Sequence, residues 1–457
     1  MALSFRFLFS SSLLLLSLLC ASNKGGAHRY LKPKPNNVID GRPNLNVYHK
    51  AKLCPPHDHP GTHKAYVPSH EEILRLDQDR VDSIHSKISN SNAIAKDSTT
   101  LPAKSGAILN SGNYFVTIGL GTPKKELSLI FDTGSFLAWT QCEPCSGSCY
   151  RQQEPIFDPS ASTSYNNITC NSATCQSSSS ATGTQPGCSD STCTYATAYG
   201  DGSATAGFLG NDALTLTDTD IVSNFVFGCG ENNTGLFHGT AGLLGLGRDP
   251  LSIVSQTAQE YNQVFSYCLP STASLTGSLT FGSPLASQSF SYTPLSSNQQ
   301  TTSFYGLDTK GITVNGTTVN IDPSVWSTAG TIIDSGTVIT RLPPDAYSAM
   351  RDAFKQGMTQ YPTAPPYGSF FDTCYDLSEY PNATLPVISL LFNGSVTVPV
   401  PVSGTLYQIQ NNQSCLAFAP NGSPNDVAIY GNQQQLTIGV VYDVPGNQVG
   451  FANNVCQ

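Results

Sequence analysis

Leu127-Ser128-Leu129-Ile130-Phe131 runs directly into Asp132-Thr133-Gly134-Ser135, and Gly330-Thr331-Ile332-Ile333 runs directly into Asp334-Ser335-Gly336-Thr337. Each is a short apolar strand ending in an acidic turn, and the two turns lie 202 residues apart. A second pair of segments recurs at comparable distances after them: Leu243-Leu244-Gly245 follows the first, and Ile429-Tyr430-Gly431 the second. A repeat of this kind is the signature of two similar modules in tandem. A single Asp-Thr-Gly-Ser would be read as a strand-end turn closed by an Asx hydrogen bond. The repetition, with the same strand in front each time, points to chemistry instead.

The rest of the chain supports a β-rich body. Of 457 residues, 39% are hydrophobic and 12% charged, which excludes charge-driven disorder and a coiled coil. Glycine (39), proline (30), tyrosine (20) and phenylalanine (21) suit strands joined by turns. Tyr114-Phe115-Val116-Thr117-Ile118-Gly119-Leu120 and Asp212-Ala213-Leu214-Thr215-Leu216-Thr217 alternate as half-buried strands do. One helix is expected after the second turn, opened by Pro343-Pro344-Asp345 and spaced by Tyr347, Met350, Phe354 and Met358.

Charge divides the chain unevenly. Residues 1–104 hold 14 basic and 8 acidic side chains and seven of the eight histidines; residues 105–457 hold 8 basic and 23 acidic. The net charge of −9 argues against a nucleic-acid partner. Arg6, the apolar run Leu13 to Leu19 and the small residues Cys20-Ala21-Ser22 read as a signal peptide, residues 1–22, too short to anchor the chain in a membrane. Residues 23–104 read as a basic propeptide. Within it Ser69 and Glu72 form a capping box ahead of Ile73, Leu76, Val81, Ile84 and Ile88 at rough helical spacing. The C-terminus lacks the hydrophobic tail of a lipid-anchor signal.

Fourteen cysteines fit the same oxidising route. Cys20 leaves with the signal and Cys54 lies in the propeptide. Twelve remain as disulfide candidates: Cys142, Cys145, Cys149, Cys170, Cys175, Cys188, Cys193, Cys229, Cys268, Cys374, Cys415 and Cys456. Seven of them fall between 142 and 193, so a stapled irregular region is expected there, with pairing left open. A zinc site on Cys142, Cys145 and Cys149 is disfavoured, because the one histidine after residue 104 is the distant His238. No metal or cofactor is expected. Asn167, Asn232, Asn315, Asn382, Asn393, Asn412 and Asn421 stand in glycosylation sequons.

The chemistry follows from bringing Asp132 and Asp334 together. Two carboxylates about 3 Å apart cannot both ionise, and share one proton. The ionised group takes a proton from water while the protonated one donates to a carbonyl oxygen. Gly134 and Gly336 leave room for tight turns and close approach. Thr133, Ser135, Ser335 and Thr337 supply hydroxyls that can hold the pair coplanar. A serine or cysteine hydrolase would need His238 as its base, and glycosidase chemistry does not ask for glycine and hydroxyl neighbours on both carboxylates. Gly119-Leu120-Gly121 and Gly245-Leu246-Gly247 lack the strand–helix unit of a dinucleotide site.

With these residues in order the chain resembles the pepsin-like aspartic proteases, in their plant nepenthesin-like branch. The resemblance rests on Phe131-Asp132-Thr133-Gly134-Ser135, Trp139, Tyr199-Gly200-Asp201-Gly202-Ser203, Gly242-Leu243-Leu244-Gly245, Asp334-Ser335-Gly336-Thr337 and Ala428-Ile429-Tyr430-Gly431. It implies an all-β, bilobal fold with two pseudo-two-fold-related lobes and a few short helices, residues 105–295 and 296–457. It implies Asp132 and Asp334 as the catalytic dyad, Tyr199 and Gly200 on a flap over the substrate, and Trp139 as the hydrogen-bond partner of Tyr199. It implies that 142–193 is the cysteine-rich insert of that branch and that Cys374 and Cys415 bridge the C-terminal lobe. The expected protein is a secreted, monomeric endopeptidase of the apoplast, acting on polypeptides at acidic pH and held latent by its own propeptide. The alternative is a pepsin-fold inhibitor of microbial glycan hydrolases.

Overall fold

The two apolar strands ahead of the acidic turns each become one member of the same four-strand arrangement. Lys125–Asp132 pairs in parallel with Gly242–Gly245, placing Gly245 opposite Asp132. Gly242–Gly245 pairs antiparallel with Trp139–Gln141, which lies parallel to part of Ile221–Thr234. In the second half Thr331–Ile333 pairs in parallel with Ala428–Tyr430, which faces Thr340–Leu342 antiparallel, itself parallel to Phe418–Pro420. The internal repeat is therefore a repeat of topology, and the later Gly-containing segments are the partners of the Asp strands.

A computed structural model describes residues 34–39, 41–49, 69–90, 114–199, 202–235, 237, 239–272, 274–283, 289–297, 303–409 and 413–453, all within the unit Pro33–Gln457. The signal segment 1–22, Cys54, Gly200, His238, Asn412 and Cys456 lie outside the described residues. The fold is mainly β. A shared sheet runs in the order Ser291–Pro294, Gln448–Ala452, Gly439–Asp443, Val264–Cys268, Gly277–Phe281, Arg42–His49, Tyr114–Leu120. The strand Arg42–His49, from the front of the chain, joins that sheet to the sheet carrying Asp132. Among the described residues, no helix is long and apolar enough to cross a membrane.

Alternation in Tyr114–Leu120 predicts one wet face, yet all seven residues are buried. Tyr114, Val116, Ile118 and Leu120 enter the main core, while Phe115 packs on Tyr48 at 5.4 Å between ring centroids. Thr117 Oγ1 and Ser128 Oγ lie 3.3 Å apart, and Ser128 donates to Glu154 Oε1 at 2.6 Å. The polar face is thus roofed by an irregular segment that alternation cannot reveal. The expected helix after the second turn is Pro344–Gln356, with Pro344 in its first turn and Tyr347, Met350 and Phe354 buried.

The predicted front-end helix is His70–Asn90, and Ser69 Oγ caps it by accepting from the Glu72 amide at 3.1 Å. Its buried residues are Leu74, Leu76, Asp77, Val81, Ile84 and Ile88, so Leu76, Val81, Ile84 and Ile88 are buried as spacing predicts and Ile73 is only half-buried. Leu74 packs with Val338, Ile339, Phe371 and Ala419. Val81, Ile84 and Ile88 pack with Phe304, Ile332, Val427 and Ile429.

Five disulfides are described: Cys142–Cys229, Cys145–Cys149, Cys170–Cys188, Cys175–Cys193 and Cys374–Cys415. Cys268 is also disulfide-bonded. Stabilisation by cross-linking the unfolded chain grows with loop length. Cys142–Cys229 closes 87 residues and Cys145–Cys149 closes 4. Replacing both cysteines of the long bridge by alanine is expected to cost about 4–5 kcal/mol, and of the short bridge about 2 kcal/mol. Urea midpoints of the two double variants check this; equal shifts would contradict it.

Candidate active site

Both Asp-containing turns end their strands inside the molecule, where Asp132 is 1% and Asp334 0% exposed. Each carboxylate first receives its own turn: Gly134 N–H donates to Asp132 Oδ1 at 2.8 Å, and Gly336 N–H to Asp334 Oδ1 at 3.2 Å. The two turns then lock each other. Thr133 N–H donates to Ser335 Oγ at 3.1 Å, and Ser335 N–H donates to Thr133 Oγ1 at 2.9 Å. This reciprocal exchange ties two segments 202 residues apart and holds the carboxylates face to face. The approach is so close that glycine is required. A Cβ on Gly134 would lie 2.7 Å from Asp334 Oδ1, and one on Gly336 would lie 2.5 Å from Asp132 Oδ1.

The hydroxyls divide their work unequally. Thr337 Oγ1 donates to Asp334 Oδ2 at 2.5 Å. Its counterpart Ser135 instead donates to the backbone carbonyl of Asp132 at 3.5 Å, so it does not hold the carboxylate. Asp132 Oδ2 is buried without a hydrogen bond. The surroundings push the two carboxylates in opposite directions. Burial and the nearby Asp334 charge push Asp132 above the ordinary carboxylate range, against the pull of Arg80. Burial works to raise Asp334 too, but Arg80, Thr337 and the Gly336 amide together bring it below that range.

Arg80 was not singled out by sequence reasoning. It projects from the helix His70–Asn90 onto both carboxylates. Its Nη2 donates to Asp132 Oδ1 at 2.8 Å and to Asp334 Oδ2 at 3.0 Å, and its Nε donates to Asp334 Oδ2 at 3.1 Å. One turn earlier, Asp77 accepts from the backbone amides of Val338 and Ile339, the latter at 3.1 Å. Behind the second turn, Asn432 Nδ2 donates to Ser335 O at 2.9 Å and Gln435 Nε2 to Tyr430 O at 2.8 Å. The helical cap and the positive charge of residues 23–104 were legible signals for the segment. Nothing local marked Arg80 over its neighbours.

Tyr199 directly follows Thr192–Ala198, the first strand of the hairpin completed by Ala204–Thr215. Trp139 Nε1 donates to Tyr199 Oη at 2.8 Å. Phe237 packs edge-on to both rings, 4.9 Å from Trp139 and 5.5 Å from Tyr199. The turn closes through Tyr199 N–H to Ser203 O at 2.8 Å and Gly202 at a φ of 79°. Gly245-Leu246-Gly247 is part of the same site, since Leu246 N–H donates to Asp132 O at 2.9 Å. Of the sequon asparagines, Asn167, Asn232, Asn315 and Asn382 are exposed and Asn393 half-buried. Asn421 is buried, and its Nδ2 donates to Asp426 O and Val427 O, which leaves it badly placed to carry a glycan.

The family described as "Xylanase inhibitor N-terminal" matches residues 114–283, and "Xylanase inhibitor C-terminal" matches residues 304–453. An aspartyl protease family protein of Arabidopsis thaliana is 54% identical, over 90% of this chain and 87% of its own. Aspartyl protease AED1 of the same plant is 52% identical over 85% and 82%. Aspartic proteinase nepenthesin-1 of Nepenthes gracilis is 38% identical over 76% and 78%. Among solved structures, EDGP superimposes with a TM-score of 0.61 at 22% identity, over 75% of this chain and 92% of that one. Conglutin gamma from lupine seeds gives 0.59 at 22%, with the same coverage, a likeness of fold.

Proposed function

This chain belongs to the pepsin-like aspartic proteases, in the plant nepenthesin-like branch, and from that premise we propose that it is a secreted aspartic endopeptidase made as a latent precursor. The observation that carries the reading is the reciprocal Thr133–Ser335 lock, which faces two buried carboxylates of opposite pKa tendency toward each other. With Arg80 withdrawn, the pair carries one proton between them and titrates as a unit. The ionised carboxylate removes a proton from water as its oxygen attacks the peptide carbonyl carbon. The protonated one donates to the carbonyl oxygen. Collapse of the tetrahedral adduct breaks the C–N bond, and the nitrogen leaves with a proton returned by the dyad. No covalent acyl-enzyme forms.

Latency comes from the helix His70–Asn90. Arg80 occupies the carboxylates that must bind water, and Leu74, Val81, Ile84 and Ile88 cover the adjoining apolar surface. Disulfides across the body suit an oxidising compartment, which supports release to the apoplast.

The test is cleavage of denatured haemoglobin or casein at pH 3–5 by secreted protein, with and without pepstatin. Pepstatin-sensitive cleavage supports the reading. Tyr199→Phe keeps the ring against Phe237 and removes the hydroxyl met by Trp139. It is expected to lower kcat/KM by about 2- to 10-fold, the value of one hydrogen bond. An unchanged kcat/KM would remove Tyr199 Oη from the account. A second reading, an inhibitor of microbial glycan hydrolases, is favoured by the descriptions of the two matching families. A folded, processed protein that cleaves nothing and slows a microbial xylanase would establish it.

A further inference from the structure

Asp77 is held more tightly than a covering helix requires. Its carboxylate accepts from two consecutive backbone amides, Val338 and Ile339, and lies 3.1 Å from Arg341 Nη2, with both side chains of that ion pair fully buried. The amides belong to the segment that continues directly from Asp334-Ser335-Gly336-Thr337. Arg341 is oriented from behind, its Nη1 donating to Ile339 O at 2.8 Å. Its Nε donates to Gln78 Oε1 at 3.3 Å, on the helix. Nη2 makes the ion-pair contact with Asp77 but no hydrogen bond. Among the described residues, Asp77 is the carboxylate in ion-pair contact with Arg341.

Removal of the helix takes away Asp77 and Gln78 together. Two fixed amide donors and a guanidinium charge that had faced one carboxylate are then left without it, in the segment that follows Asp334. A desolvated cation stripped of its partner is costly, and an anion of matching shape restores it. Asp77 precedes Arg80 by three residues, about 4.5 Å along a helix axis. An extended peptide advances about 3.3 Å per residue. The carboxylate cradle is therefore one or two residues along from the position that Arg80 marks, the position of the bond to be cut.

Resting on the endopeptidase reading, the structure assigns Arg341, with the Val338 and Ile339 amides, to an acidic-side-chain subsite: the processed enzyme selects an Asp or Glu one or two residues from the cleaved bond. The helix occupies that subsite with Asp77 as a substrate would. Leu74, a turn before Asp77, lies among Val338, Ile339, Phe371, Ile409 and Ala419, so an apolar residue is accommodated beyond the acidic one.

The test uses processed enzyme and a set of fluorogenic peptides that share one cleavable bond. Each peptide carries Asp, Asn, Ala or Lys at one of the three positions on either side, assayed at about pH 5, where a peptide Asp is ionised. At one position within two residues of the bond, kcat/KM for Asp should exceed that for Asn by about 10- to 100-fold, the range for a hydrogen-bonded charge. In Arg341→Gln the Asp-to-Asn ratio at that position should collapse toward one. That ratio is internal to the variant and is not moved by a general loss of folded protein. Should Arg341→Gln fail to fold, the Asp-to-Asn comparison in the unsubstituted enzyme decides alone. Cleavage of the neutral peptides with no preference for Asp at any position would overturn the subsite and leave the protease reading intact. Cleavage of none of the peptides would overturn both.

Discussion

On the proposed mechanism, Asp132→Asn and Asp334→Asn should each reduce cleavage of a peptide by processed protein by about 10²- to 10⁴-fold or more, the contribution of general acid–base catalysis where one group's removal disables both roles. The size follows from the shared proton. Asparagine at either position keeps the shape, and the Gly134 and Gly336 amides still find an oxygen. It cannot ionise and cannot pass a proton, so neither activation of water nor protonation of the carbonyl survives. The two variants should lose activity to a similar degree, because the dyad works as a unit. Thermal unfolding should show folded protein, since the Thr133–Ser335 exchange uses backbone amides and neighbouring hydroxyls only. Retention of a tenth of the activity by either folded variant would sink the mechanism.

On the proposed latency, Arg80→Met should give a precursor that releases its helix near neutral pH. Arg80 keeps only 17% of its side-chain exposure and sits between two carboxylates that are 1% and 0% exposed. Removing one partner from a buried charge cluster costs about 3–5 kcal/mol, which moves the docking equilibrium by roughly two to four decades. The pH dependence has a defined sign. With the helix docked, Asp334 lies below the ordinary carboxylate range. Docking is therefore stabilised by ionised Asp334, fully above the usual Asp value of about 4, and that stabilisation is lost as pH falls through the lower docked value. Asp132, pushed upward by burial, contributes with the opposite sign and favours the docked helix as pH falls, so release on acidification rests on Asp334. The unsubstituted precursor should mature on acidification through this window and stay intact above it. Arg80→Met should mature with much less dependence on pH. Gel analysis of processing between pH 3 and 7 checks both, and a Met variant that stays latent at pH 7 would refute the role given to Arg80.

Much of the dyad could be read from short stretches because its geometry is local. A strand, a turn, a glycine and a hydroxyl are each specified within a few residues, and two copies announce two halves. The helix His70–Asn90 was legible for the same reason, through Ser69 and its apolar spacing. What spacing could not show is which of its residues points at what. Ile73 fits the apolar pattern, yet Leu74 takes the buried position, and the buried line includes a charged residue, Asp77, which an apolar template skips. Spacing likewise could not show that Ser135 and Thr337 meet different atoms. Equivalent positions in two tandem turns face different surroundings, and one hydroxyl reaches a carboxylate while the other reaches a carbonyl.

By itself the sequence determined the repeated strand-and-acid units, the glycines beside them, the cysteine-rich stretch, and the contrast between a basic front and an acidic body. Each is a property of neighbouring residues or of composition. The tertiary structure alone decided that Gly242–Gly245 and Ala428–Tyr430 lie beside the Asp strands and how the cysteines of the insert pair. It alone decided that Arg80 bridges Asp132 and Asp334 and that Asp77 meets Arg341. These are contacts across about 20 to 260 residues of chain, set by how sheets and helix stack once their apolar faces are buried together. No local pattern encodes such a meeting, because the energy that selects it belongs to the packed core as a whole.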